Sequence, residues 1–416
     1  MRVLLVAYEM PPALTAESIL AGKTVRSLLS AAGSGDGDGG GGGERLALTC
    51  VTALPDPLHR LDPDLEAWLR GAEVRRHGNW PRALRGRARS AWRRLAVRVW
   101  GEDFLPWTVR AGRREPRAGD AFDLLWSRSE PGASHTAARA IRRRARRLGM
   151  GRLPWVAQFS DPWALNPYRP YVPPGWRRRE EAVLAEADAL VFPSEALRDL
   201  YDRAYPALGV AARSTVLPHG FDPSLYPPRR RPEPGASSGP LRLVHVGDFY
   251  GLRSPRPLLE AARALRPRLP GGLELRLVGR VARSFPAGDA AHIGPVGYLE
   301  SLREMVEADL LVVVEAPLER APFLPSKLID YLGARRPVVG LTVPGSPAAL
   351  LLARLGFPWA DVRDPAAVEA TLADAVARLG DLTLHARTLR LEEFTMERAA
   401  STLLALFHRL AGSRRP

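Results

Sequence analysis

The chain has 416 residues, more than one hydrophobic core usually serves, so two domains are expected. Hydrophobic residues at 46% and charged residues at 25% exclude a wholly disordered or fibrous protein. The single cysteine, Cys50, excludes an intrachain disulfide framework and suits a reducing compartment.

Lys+Arg at 60 against Asp+Glu at 45 leaves a net charge of +15, which admits nucleic acid, an anionic membrane surface or a phosphorylated substrate as partner. Lysine, however, occurs only at Lys23 and Lys327, and every other cation is arginine, alongside abundant Ala, Gly and Pro. The basicity is therefore either functional or a compositional coding bias. The apolar opening run, residues 3–7, is too short for a signal segment or a membrane span, and no later segment approaches ~20 uninterrupted apolar residues. A soluble, cytoplasmic protein is expected.

MRVLLVAY reads as a strand, EMPPALTAES as a loop, and residues 19–29 as a helix, the opening unit of a parallel α/β sheet. The glycine-rich stretch 33–44 reads as a surface loop, and its DGD triplet is weak as a metal motif. Residues 77–118 hold the most basic stretch, where Ala88, Trp92, Leu95, Ala96, Val99 and Trp100 recur at helical spacing between arginines. That pattern fits a solvated helix with its apolar stripe in the core, or a surface helix over residues 85–100 leaning on anionic lipid. A second basic run follows at 139–149. FDLLWS, LPWVAQFS and ADALVFP then alternate with helical patterns, as in a doubly wound sheet.

Residues 227–240 have linker composition, a linker is expected over 221–240, and LRLVHVGDFYG opens a second strand series continued by LELRLVG, ADLLVVVE and RPVVGL. Helices are expected near 299–307, 326–333 and 365–379. A last helix over 395–410 has Thr395 as a candidate N-cap and a stripe of Ala399, Leu403, Leu406, Phe407 and Leu410. The expected architecture is two Rossmann-like domains, 1–220 and 241–390, with residues 391–416 crossing back onto the first.

In open parallel sheets the ligand lies beyond the carboxyl ends of the strands, so the loops after them carry the candidate site. Gly247 ends a strand where a missing Cβ permits close approach, and Arg253 follows near the next helix. In PSKLIDYL, Ser326 is a candidate cap and Lys327 sits in the first turn, adding positive charge where the helix dipole is already positive. A bound diphosphate would remove that penalty, while Asp330, one turn on, could accept from a ribose diol or simply pair with Lys327.

These segments, with HIGPVGYLESLREMVEADLLVVV, EEAVLAEADALVFPSEALRDLY and TVLPHGFDP, resemble the family-four, glycogen-synthase-like group of GT-B glycosyltransferases. The likeness touches nearly the whole chain and is weakest over 77–118. It implies two Rossmann-like domains facing across a cleft, a nucleoside-diphosphate sugar on the second, and a glycan, lipid-linked or small-molecule acceptor on the first. It further implies transfer with retention, in polysaccharide or glycoconjugate synthesis, without a cofactor or metal. By the same resemblance Gly247 begins the phosphate loop, Arg253 and Lys327 hold the diphosphate with Ser326 beside them, and Asp330 stands at the second glutamate of an E-x7-E pair. The first would fall at Pro322, with Glu315 and Glu319 nearby as substitutes. A Gly-Gly pair that the family often carries after its prolines is replaced by ALTAES.

The family's acceptor-side histidine would fall near Ser129, which leaves His135 as its nearest counterpart, and Asp161 could orient an acceptor hydroxyl or cap its own loop. His219 and Gly220 fall at the expected domain junction. A noncatalytic sugar-binding relative is the alternative function. Nucleic-acid binding is not expected, because the arginine runs lack interleaved stacking residues on a recognition fold. Peripheral contact with an anionic membrane is a further expectation.

Overall fold

The structure is a computed structural model describing residues 1–33, 46–55, 60–79, 86–100, 104–169, 171–173, 175–233, 239–281 and 290–412. The DGD triplet lies outside the described residues. The chain forms two compact units, Met1–Pro218 with Met396–Pro416, and His219–Thr395.

In chain order the first unit comprises β1 (Arg2–Ala7), α1 (Ala16–Gly33), β2 (Ala47–Ala53), β3 (Glu73–His77), α2 (Gly86–Trp100), α3 (Leu105–Arg114) and β4 (Leu124–Ser129). It continues with α4 (Ala133–Arg147), β5 (Trp155–Phe159), α5 (Trp176–Glu186), β6 (Ala189–Phe192), α6 (Glu195–Ala204) and β7 (Ser214–Val216). The strands pair in parallel in the order β3-β2-β1-β4-β5-β6-β7, so the order reverses between β1 and β4. Helices on both faces bury the strands, and residues 3–7 are all buried.

The second unit holds β8 (Leu241–Val246), α7 (Arg256–Leu265), β9 (Leu273–Val278), β10 (Ala291–Gly294), α8 (Tyr298–Val306), β11 (Leu310–Val314) and α9 (Ser326–Gly333). Then come β12 (Val338–Thr342), α10 (Pro347–Arg354), β13 (Trp359–Asp361), α11 (Pro365–Ala377) and α12 (Leu379–Thr388). The parallel order β10-β9-β8-β11-β12-β13 reverses between β8 and β11. A ligand on such a sheet seats at that reversal, where neighbouring crossovers leave in opposite directions.

The last helix, α13 (Met396–Gly412), packs in the first unit: Leu403 and Phe407 share a core with Val25 and Leu28 of α1. Ser27 Oγ donates to the Met396 carbonyl at 2.8 Å, and the Phe407 and Trp126 rings lie 5.4 Å apart. Thr395 immediately precedes this helix, and its hydroxyl donates to the Glu392 carbonyl at 2.9 Å.

The expected linker, 221–240, is packed against the second unit in its described part. Phe221 N–H donates to the Phe394 carbonyl at 2.9 Å, and Tyr226 Oη donates to the Asp330 carbonyl at 2.9 Å. Arg229 Nη1 donates to the Ala308 carbonyl at 2.7 Å, and the Arg230 and Arg231 N–H groups donate to Glu307 at 2.7 and 2.9 Å. The partners of Arg229, Arg230 and Arg231 lie 79, 77 and 76 residues away in sequence, so local composition could not show them.

Strand β3 was also hidden, because EVRRH lacks an apolar pattern. Its buried Arg75 and His77 both reach Glu115, Arg75 Nη1 at 2.7 Å as an ion pair and His77 Nε2 at 3.0 Å. In the second basic run Arg139, Arg142 and Arg144 are half-buried, while Arg143, Arg146 and Arg147 are exposed. Arg139 Nε donates to Glu186 at 2.7 Å, while Arg142 pairs with Asp188 and donates to the Leu153 carbonyl at 2.8 Å. On α2, Ala96 is buried but Leu95 and Val97 are 50% and 47% exposed, so the apolar stripe is only partly in the core. Among the described residues no helix is long and apolar enough to cross a membrane.

Candidate functional site

The second unit's sheet reverses between β8 and β11, and the loops after these strands bring Gly247 and Lys327 together. Gly247 has φ +123°, and a Cβ on it would lie 2.3 Å from Lys327 Nζ and 2.9 Å from Cε. The absent side chain is therefore the notch that the lysine occupies. Gly279, at the end of β9 with φ +136°, makes a second close approach: a Cβ there would sit 2.7 Å from the Gly247 carbonyl carbon and oxygen. The GR pair after LRLV supplies this glycine, and its role is to let two strand ends lie against each other.

Lys327 is half-buried, and its amine is held well below the ordinary lysine value, first by burial and then by the Arg253 charge, with Asp248 acting the other way. That repulsion marks Arg253 as a neighbouring charge of Lys327. The Arg253 guanidinium lies over the Tyr250 ring at 5.2 Å, and its Nε is sealed from solvent without a hydrogen-bond partner. Two neighbouring cations, one with an unsatisfied Nε, have the chemistry that an oxyanion would satisfy.

Ser326 is the first helical residue and not the cap; Pro325 holds that position with no side-chain bond. Asp330 does not pair with Lys327. Its Oδ1 accepts from Tyr298 Oη at 3.0 Å and the side chain is buried, so α9 directs its cation and its acid to different neighbours. A ribose contact would have to share this carboxylate with Tyr298.

Glu315, a substitute for the glutamate absent at Pro322 in the sequence reading, is a buried carboxyl immediately after β11. Its Oε2 accepts from Val343 N–H at 3.1 Å and Ser346 Oγ at 2.8 Å, while Ser346 caps α10 through Ala349 N–H at 3.1 Å. Burial pushes Glu315 up to about 7 against these bonds and the favourable charge of Arg253. Its visible work is to hold the TVPGSP loop, and Glu319 is exposed.

In the first unit the reversal falls between β1 and β4. Glu9, after β1, accepts from the Thr15 hydroxyl and is pushed up to about 7 by burial, with Glu17 adding to the effect. Thr15 Oγ1 accepts from Ser18 N–H at 3.2 Å at the start of α1, so the ALTAES segment supplies a cap where a glycine pair was expected. Glu17 meets buried Arg128 at 3.3 Å. This end of the first unit thus holds two acids, Glu9 bonded to Thr15 and Glu17 paired with Arg128.

His135 corrects its expectation. The ring is wholly buried, 4.4 Å from Phe159, and burial pushes it down to about 3, so it is neutral. Ser127 Oγ accepts from Trp155 Nε1 at 2.8 Å and has its own proton for His135 Nδ1, also at 2.8 Å. A ring sealed in this way belongs to the core and touches no acceptor. The sequence signal had been proximity to the expected position, which says nothing of which face of α4 the residue occupies.

Asp161 is half-buried just beyond β5. The two residues beyond Trp163's neighbour Pro162 are clamped: Trp163 N–H donates to Tyr201 Oη at 3.0 Å and Ala164 N–H to Glu180 Oε1 at 2.9 Å. Glu180 also accepts from Tyr201 Oη at 2.8 Å and Tyr205 Oη at 2.6 Å, so this fully buried carboxyl fixes the loop that carries Asp161. A Cβ on Gly132 would lie 2.3 Å from the Trp163 ring, which makes that glycine part of the same clamp. Neither Glu180 nor His245, discussed below, stood out in the sequence, because each sits inside an ordinary helix or strand pattern.

No family model matches the chain, and no curated protein matches it. Solved structures do. The N-terminal domain of Candida albicans trehalose-6-phosphate phosphatase aligns at TM-score 0.64 and 12% identity over 98% of this chain and 97% of that one. WaaG, a glycosyltransferase involved in lipopolysaccharide biosynthesis, aligns at TM-score 0.58 and 15% identity over 97% and 99%. A structure described as a UDP-N-acetylglucosamine 2-epimerase from Listeria monocytogenes aligns at 0.58 and 12% over 100% and 97%. At such identities the likeness establishes the fold, which is the GT-B architecture of two Rossmann-like units, and leaves the reaction to be argued from the site.

Proposed function

We propose that this chain is a glycosyltransferase that moves a sugar from a nucleoside-diphosphate sugar to a hydroxyl acceptor. The observation that carries the reading is the Gly247 notch occupied by Lys327, with Arg253 beside it, at the sheet reversal of the second unit. As the anomeric C–O bond breaks, negative charge grows on the departing diphosphate, and Lys327 and Arg253 stabilise it more than they do the intact donor. The resemblance supports transfer with retention, through an oxocarbenium-like state.

The acceptor belongs to the first unit, where the clamped Asp161 loop and Glu9 offer acceptors for a sugar hydroxyl. A lipid-linked acceptor in polysaccharide or glycoconjugate synthesis accords with α2, where half-exposed Leu95 and Val97 lie among exposed Arg87 and Arg94. Sedimentation with anionic and with neutral vesicles tests that surface, and equal partitioning would remove it.

A noncatalytic binding protein is the second reading, favoured by Pro322 in place of an acid and by Glu315 being engaged in loop structure. Incubation with a panel of uridine, guanosine, adenosine and thymidine diphosphate sugars, followed by nucleotide release, separates the two. Sustained release that Lys327→Ala abolishes supports transfer or hydrolysis. Binding without turnover supports the second reading, and a donor converted to its epimer would mark a different reaction on the same fold.

A further inference from the structure

The group that meets Lys327 is a histidine and not an acid. His245 lies on β8 with its ring wholly buried and stacked on Phe249, the centroids 4.4 Å apart. Its Nδ1 is 2.9 Å from the Val312 carbonyl of β11, which can only accept, so the proton of the neutral ring sits on Nδ1. Nε2 is thereby fixed as an acceptor, and it faces Lys327 Nζ at 3.5 Å.

From the loop after β8 come Arg253 and Asp248, the latter accepting from Arg280 N–H at 2.7 Å and Nε at 2.8 Å. From α9, Asp330 accepts from Tyr298, and Tyr331 Oη accepts from Val246 N–H at 2.8 Å. From the residue after β11, Glu315 accepts from Val343 and Ser346. Among the described residues no carboxylate forms an ion pair with Lys327. The amine therefore rests between a neutral acceptor and a guanidinium, an environment that disfavours its charged form until an anion arrives.

We propose that His245 is a positioning residue that aims the Lys327 amine across the Gly247 notch, and that the site takes up a proton as a diphosphate settles between Lys327 and Arg253. The amine lone pair accepts one proton from solvent, and the resulting ammonium keeps one N–H on His245 Nε2 while the others turn to phosphate oxygens. The inference rests on the donor-site reading and deepens it.

The test is calorimetric titration of the full chain with UDP, GDP, ADP and dTDP in buffers of differing ionisation enthalpy, near about pH 8, where the phosphates are already fully ionised and any uptake comes from the protein. The expected result is a buffer-dependent enthalpy equivalent to net proton uptake, lost in Lys327→Met. His245→Phe should weaken binding roughly tenfold, the scale of a lost hydrogen bond to a charged group, and His245→Gln, which keeps an acceptor, should recover part of it. Binding with no buffer dependence overturns the inference and leaves the donor site standing. Full affinity in His245→Phe overturns the positioning role. If His245→Phe fails to fold, the wild-type proton count and the Gln variant still decide. If none of the nucleotides binds, the donor-site reading fails and this inference fails with it.

Discussion

Replacing Gly247 by alanine tests the geometry of the notch directly. The new Cβ would stand 2.3 Å from Lys327 Nζ, whereas ordinary contact needs about 3.5 Å, so the amine must retreat by about 1 Å. The backbone at φ +123° adds strain on the order of 1–2 kcal/mol or more for any residue with a Cβ. A displacement of that size at a charge-stabilising group lowers turnover about 100-fold. Gly251 is the control within the same loop: its φ is +58°, yet a Cβ there meets nothing within 4 Å. Gly251→Ala should therefore lose about 1 kcal/mol of stability through backbone strain alone and keep nucleotide affinity. Urea denaturation with nucleoside diphosphate titration of both variants separates the two effects. Equal affinity in Gly247→Ala and Gly251→Ala would refute the reasoning, since only one of them intrudes on the lysine.

Two further outcomes follow from buried carboxyls. The Glu315 carboxyl is raised from 4.5 to about 7, so the folded state holds its proton more tightly than the unfolded chain. Its contribution is complete below the unfolded value and declines as pH rises towards the folded one, by up to roughly 3 kcal/mol at about 1.4 kcal/mol per unit. Glu315→Gln keeps an acceptor for Val343 and Ser346 but cannot ionise, so its stability relative to wild type should improve between acid and neutral pH, and an offset that does not vary with pH would contradict this. Glu180→Ala leaves the Ala164 N–H and two tyrosine hydroxyls without their acceptor, which should lower urea stability by about 3–5 kcal/mol, whereas Glu180→Gln should lose less. An equal loss in both variants would show that packing, not acceptance, is what the residue supplies.

The parallel sheets were legible because their strands are apolar runs separated by helical periods; LLVVV is buried at every position. Lys327 was legible for a different reason: in a chain with only one other lysine, a cation in the first turn of a helix opposes the dipole and so asks for an anion. Gly247 and Arg253 could be placed near it by strand order. What could not be read was pairing across the sequence. Asp330 turns to Tyr298, Arg75 to Glu115 and Arg229 to the Ala308 carbonyl, each set by tertiary neighbours that no local pattern encodes. His135 shows the converse, a residue of suitable chemistry near a suitable place whose helix face turns it into the core. The arginine runs left two readings open, and part of their charge is met within the first unit, where Arg139 pairs with Glu186 and Arg142 with Asp188.

The most direct test of the donor site is a double-mutant cycle on its two cations. Nucleoside diphosphate affinity is measured for wild type, Arg253→Ala, Lys327→Ala and the double variant. Each single change should weaken binding on the order of 10–100-fold, and the double variant should lose clearly less than the product of the two, because both groups grip one anion. Strict additivity, or an unchanged affinity in either single variant, would contradict a shared diphosphate at this site.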